Sequence, residues 1–155
     1  MAGILSGCTK SGEKFQLLVT NAHIPSSGIR KKNTISELTS SFKKFNKKFN
    51  KHLLLGDLNM DTSALIRLTL KMGTGFRQAK VLNSKGSRYN KGRVERMIDH
   101  IYYAGLNSRP NWCTANRFLD LSDLMSIAAQ WNLDSFEVPE KKNQNYRQKI
   151  FISWK

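Results

Sequence analysis

The stretch Leu53-Leu54-Leu55-Gly56-Asp57-Leu58-Asn59-Met60-Asp61 decides the fold of this chain. Three consecutive leucines with no polar residue between them predict a short strand buried on both faces. Gly56 and Asp57 end that strand. In an extended segment Asp57 and Asn59 alternate across Leu58 and project to the same side. A carboxylate at a strand end can take a proton from water, and a neighbouring amide can hydrogen-bond a phosphate oxygen or hold the nucleophile. Gly-Asp-x-Asn is also ordinary turn composition, so its weight depends on what surrounds it.

Upstream, residues 34–50 form the clearest helical pattern. Thr34-x-x-Glu37 is a capping box. Ile35, Leu38, Phe42, Phe45 and Phe49 recur at spacings of three and four, which makes one apolar face. Lys43, Lys44, Lys47, Lys48 and Lys51 fall mostly on the other. The phenylalanine stripe reads as core, not as a base-stacking surface. Earlier still, residues 2–8 and 15–20 flank a Ser-Gly turn and predict a β-hairpin. The second of these strands leaves through Asn21-Ala22-His23-Ile24-Pro25 into a loop.

Downstream, Asp61 or Thr62 caps a second helix with Leu65, Leu68 and Met72 inward and Gly73 as its stop. Residues 74–95 read as a polar, basic loop with one strand around Ala79–Leu82. Met97–Tyr103 and Leu124–Trp131 read as strands. From Asn132 the chain turns polar and basic, with Pro139 as a break. The organisation expected is a domain over 1–132 followed by a basic tail or linker over 133–155. Strands alternating with helices predict an α/β or α+β layered sandwich.

At 155 residues the chain is one domain long enough for a sizeable core. Lys and Arg number 26 against 11 Asp and Glu, a net charge of +15. That excess is localised: residues 30–51 carry eight basic and one acidic side chain, residues 77–96 seven and one, and residues 139–155 five and one. Basic stretches around a near-neutral remainder predict a polyanionic partner held through phosphates, hence nucleic acid, DNA or RNA. No apolar run approaches the roughly 20 residues of a membrane span, and the N-terminus lacks the basic start of a signal peptide. Cys8 and Cys113, far apart and alone, predict free thiols and an intracellular, reducing location.

Two more segments carry chemistry. Asp99 interrupts the apolar run Met97-Ile98-Asp99-His100-Ile101-Tyr102-Tyr103. A buried carboxylate costs several kcal/mol unless it has a partner; a water-facing edge strand is the other reading. Ser122-Asp123 precedes the last apolar run, where Ser-Asp also serves as a common turn or cap. Taken in order, Asn21-Ala22-His23-Ile24-Pro25, Leu54-Leu55-Gly56-Asp57-Leu58-Asn59-Met60-Asp61, Gly86-Ser87-Arg88, Met97-Ile98-Asp99-His100-Ile101 and Leu121-Ser122-Asp123 resemble the endonuclease/exonuclease/phosphatase superfamily over about residues 3–132. In flavour they are closest to the endonucleases of non-LTR retrotransposons.

That resemblance implies a partial four-layer fold and metal-assisted, in-line hydrolysis of a phosphodiester. It implies that Asp57 activates or orients the attacking water, that Asn59 and Asn21 hold the phosphate or nucleophile, and that His23 touches the scissile phosphate. Asp99 would orient a histidine directly after the Ser-Asp, and Asp123 would bind Mg²⁺. Two departures follow. The histidine position is Leu124, which can neither donate a proton nor pair with Asp99. The family's first half, with an Asn and a metal-binding Glu, has no counterpart, so the chain resembles a C-terminal half. A lone Asp123 is a poor Mg²⁺ site. The expectation is an endonuclease-like phosphodiesterase with impaired activity, or else a catalytically dead nucleic-acid-binding module or ribonucleoprotein component. Missing sheet neighbours imply a partner chain or self-association that completes the sheet.

Overall fold

Two long strands, β1 (Ala2–Thr9) and β2 (Lys14–Asn21), open the chain as an antiparallel hairpin, paired from Ala2 against Thr20 to Cys8 against Lys14. The computed structural model describes residues 1–9, 12, 14–90, 93–116, 125–131, 136–137 and 150–153. Helix α1 (Gly28–Phe45) carries the chain back along the sheet, so that β3 (His52–Asp57) lies parallel to β2. Parallel neighbours need such a crossover, because no tight turn can join them.

The helix starts six residues before the capping box. Ser27 is its N-cap and makes no side-chain cap bond, so Thr34 and Glu37 lie inside the helix instead of opening it. A capping box is a local signal, and the residues from Ile29 to Lys32 are acceptable helix formers that let the helix extend upstream. Its C-terminal end is Phe45, which leaves Phe49 in the following turn, where its N–H donates to the Phe45 carbonyl. Helix α2 (Thr62–Met72) has the expected ends: Asp61 Oδ1 accepts from Ala64 N at 2.7 Å, and Gly73 closes the helix at φ 69°.

The remaining strands are β4 (Arg77–Gln78), β5 (Tyr89–Asn90), β6 (Arg93–Val94), β7 (Asp99–Ala104), β8 (Trp112–Asn116), β9 (Ser126–Trp131), β10 (Phe136–Glu137) and β11 (Ile150–Ser153). The strand expected around Ala79–Leu82 forms earlier, as β4. The larger sheet has the order β10-β1-β2-β3-β7-β4, the smaller β11-β9-β8, and β5 with β6 makes a two-stranded ribbon. From the segment expected as a tail, β10 pairs with β1 at Cys8 and Thr9, and β11 pairs with β9 from Trp131 to Ala128.

Parity along β3 and β7 divides the core. Leu53 and Leu55, with Ile101 and Tyr103, face the smaller sheet and pack on Cys113, Ala115, Ile127, Ala129 and Trp131. Leu54 and Tyr102 face the helices and pack on Phe42, Leu65, Leu68 and Met72. Helices, large sheet and small sheet are therefore stacked layers, a mixed α+β sandwich. The phenylalanine stripe is core, with Phe42 fully buried and Phe45 partly so. No helix among the described residues is long and apolar enough to cross a membrane. Cys8 and Cys113 are both free thiols, and burial pushes the Cys113 thiol up to about 11.

Candidate active site

Strands β2 and β3 run parallel and end together, at Asn21 and Asp57, while β7 begins beside them at Asp99. Asp57 and Asp99 are direct cross-strand partners. Directly opposed residues share a face, with Cβ atoms about 4.5–5.5 Å apart. Asn21 has the same parity as Leu17, and Leu17 lies in the core between the sheets with Leu53, Leu55 and Ile101. Asn21, Asp57 and Asp99 therefore stand at one end of three adjacent strands, on the face toward the smaller sheet.

Gly56 makes this junction possible. Its φ is 130°, and a Cβ there would lie 2.1 Å from the Ala22 carbonyl oxygen and 2.9 Å from Asn21 Oδ1. Only glycine allows the loop after β2 to lie against β3. The ladder continues past the strand ends, with Ala22 N donating to Leu55 O and Ile24 N to Asp57 O, both at 2.9 Å. That path brings His23 to Asp57, with Nδ1 at 3.7 Å from Oδ2. The His23 side chain is 69% exposed and that of Asp57 16%.

Asn59 differs from the extended reading. Its φ is 44°, so the chain turns after Asp57 instead of alternating. Asn59 N donates to Asp57 Oδ1 at 3.0 Å, a local turn typical of Asp, and Asn59 Nδ2 donates to Ile24 O at 3.0 Å. Lys31 of α1 donates from Nζ to Asn59 O at 2.9 Å and to Ser26 O at 3.2 Å. The amide of Asn59 thus ties the two loops together beside the Asp57 carboxylate.

Asp99 is 4% exposed. Its backbone is held by Ser87, a fully buried residue whose hydroxyl accepts from both Ile98 N and Asp99 N at 3.0 Å. The Ser87 carbonyl accepts from Met125 N at 2.6 Å, which binds the start of β9 to the same point. Sequence reasoning noted Gly86-Ser87-Arg88 without giving the serine a task; a lone Ser in a polar loop carries no signal of burial. His100 points to the opposite face, as strand alternation requires. Gln78 Nε2 lies 3.0 Å from its Nδ1, and its Nε2 lies 3.2 Å from Met60 O. Burial holds the His100 pKa below the usual imidazole value, against the raising effects of backbone hydrogen bonds and of Asp57. With both ring nitrogens engaged inside the fold, it is a structural histidine.

The expected metal ligand Asp123, with Leu124 beside it, lies outside the described residues. Among the described residues, no group of three His, Cys, Asp or Glu side chains could hold a metal ion. Asp57 and Asp99 are cross-strand partners at the site, but Asp57 Oδ1 already accepts from Asn59 N, and Asp99 is buried. Mg²⁺ retains several waters and needs open carboxylate oxygens. The described set alone does not fit that ion.

No protein-family model matches the chain, and no characterised protein matches it in sequence. Solved structures do match in shape. A 3′ phosphatase, NExo, from Neisseria, bound to a product DNA hairpin, superposes with a TM-score of 0.60 at 13% identity, covering 83% of this chain and 64% of that one. TDP2 from D. rerio, complexed with single-strand DNA product, gives 0.53 at 16% identity over 83% and 61% of the two chains. An endonuclease/exonuclease/phosphatase family protein from Bacteroides thetaiotaomicron gives 0.54 at 16% identity over 79% and 50%. The chain spans between half and two thirds of the length of these structures. Its layered sheet, with Asp57 and Asp99 paired at one end, has the fold of endonuclease/exonuclease/phosphatase proteins.

Proposed function

We propose that this chain is a nucleic-acid-binding, endonuclease-like phosphodiesterase domain in which hydrolysis is impaired. The observation that carries this reading is the meeting of Asn21, His23, Asp57, Asn59 and Asp99 around Gly56 at one end of the large sheet. A phosphodiester placed there meets an amide from Asn21, an exposed imidazole from His23 and a partly open carboxylate from Asp57. Asp57 is the group positioned to orient or deprotonate a water, and Asn59 fixes it through its backbone N–H. Asp99 is the buried carboxyl group beside it. The later-half correspondence and the retrotransposon flavour rest on the order of the sequence motifs. So does the role of Asp123 toward Mg²⁺, which would neutralise charge developing on the phosphate when bound.

Leu124, which offers no proton where the resemblance implies a histidine, supports the impairment. The net charge of +15 supports retained binding even without turnover. The test is plasmid nicking with Mg²⁺ beside Asp57→Ala and Leu124→His. Weak nicking lost in Asp57→Ala and raised in Leu124→His supports the proposal. Nicking untouched by Asp57→Ala refutes the assigned site. Salt-sensitive binding with no cleavage in any variant favours the second reading, a module that binds without reacting.

A further inference from the structure

We propose a second nucleic-acid contact, a basic groove at the far end of the large sheet that takes the phosphates of a single strand. The groove has a volume of about 860 Å³ and lies between the β1–β2 hairpin and the turn joining α1 to β3. Strand β2 runs from Lys14 in this groove to Asn21 at the candidate site. At about 3.3 Å per residue the two are about 23 Å apart. The groove is therefore separate from the Asp57 cluster.

Four lysines, Lys14, Lys47, Lys48 and Lys51, line it, and among the described residues no acidic side chain does. Among the described residues none of these four is in an ion pair. Lysines near a helix C-terminus can be explained by the helix dipole, and Lys43 and Lys44 in the last turn of α1 already meet that need. Lys14 comes from β2 and Lys51 from the residue before β3, so the dipole does not account for their convergence. Gln16 and Asn50 add side-chain amides with no hydrogen-bond partner among the described residues. Cations for phosphates with amides for base edges are the means by which a groove holds a nucleic-acid strand. The volume is that of a small-molecule site, room for a few nucleotides of a single strand.

The inference rests on the nucleic-acid part of the proposed function and not on hydrolysis. The experiment is fluorescence anisotropy of a labelled single-stranded oligonucleotide in EDTA, as a function of salt. It compares the wild type, the triple variant Lys47→Gln, Lys48→Gln, Lys51→Gln, and a charge-matched control, Arg67→Gln, Lys71→Gln, Lys80→Gln. Each neutralised phosphate contact lowers the log–log salt slope by about 0.7 for a single strand. The groove variant should lose about 2 in slope and at least tenfold in affinity, while the control stays within threefold. Matching urea midpoints for the two triple variants exclude unfolding as the cause. Equal losses in both triples, or less than twofold loss in the groove variant, overturn the proposal. So does displacement of the oligonucleotide by phosphatidylserine vesicles at equal phosphate concentration.

Discussion

Removing one buried hydroxyl should loosen the point where the two sheets and the candidate site meet. In Ser87→Ala the backbone N–H groups of Ile98 and Asp99 lose their shared acceptor, now 3.0 Å from each. Ser87 is fully buried, so water does not replace it without rearrangement. A buried donor left unsatisfied costs about 1–3 kcal/mol. Two donors sharing one weakened acceptor make a total of about 2–4 kcal/mol. With a urea m-value of about 1–3 kcal/mol/M, the unfolding midpoint should fall by about 1–2 M at unchanged m. Amide exchange at Ile98 and Asp99 should accelerate with it. Ser40→Ala, on the exposed side of α1, serves as the control and should move the midpoint little. A shift under about 0.5 M for Ser87→Ala, with both amides still protected, would refute the role given to this hydroxyl.

Stability should fall on acidification. Burial depresses the pKa of both His52 and His100 below the ordinary imidazole value of about 6.5, so the unfolded chain binds protons first. The stabilisation is complete above about pH 6.5 and is lost as the pH falls below it, at up to about 1.4 kcal/mol per pH unit for each histidine. Urea midpoints at pH 7.5 and 5.5 measure this, and His100→Gln should flatten part of the slope. Gly56→Ala should cost about 3 kcal/mol or more, because its Cβ would meet the Ala22 carbonyl at a positive φ; near-normal thermal melting would contradict the packing described. Along β1, Ile4 is 54% and Leu5 39% exposed, and the strand's outer edge is paired only at Cys8 and Thr9 among the described residues. Edge strands of this kind associate. Sedimentation should show concentration-dependent self-association that Ile4→Lys with Leu5→Lys reduces, and a monomer at all concentrations would count against it.

What the sequence disclosed was what short-range rules can encode. Asp61 and Gly73 bracket α2 because capping is decided within four residues. The three leucines of β3 are apolar on both faces because both faces are covered. The start of α1 was hidden because a strong capping pattern inside the helix outweighed weak signals upstream. Strand β8 was not foreseen: its buried positions are Cys113 and Ala115, too small to mark an alternating pattern. The residues of the candidate site were each visible, but their meeting was not. Asp57 opposite Asp99 is a matter of register between strands more than forty positions apart, and the turn at Asn59 depends on the carbonyl of Ile24. Ser87 had no local signature at all.

The pairing of Cys8 with Glu137 sets a schedule for biosynthesis. At about 5–20 residues per second, a ribosome needs roughly 6–26 s to add the 129 positions that separate them. From the time β2 has emerged after it, β1 waits through the rest of that interval with its other margin unclaimed. The nascent chain therefore carries a sticky border for most of its own making, and a chaperone that shields short extended segments would find its client there.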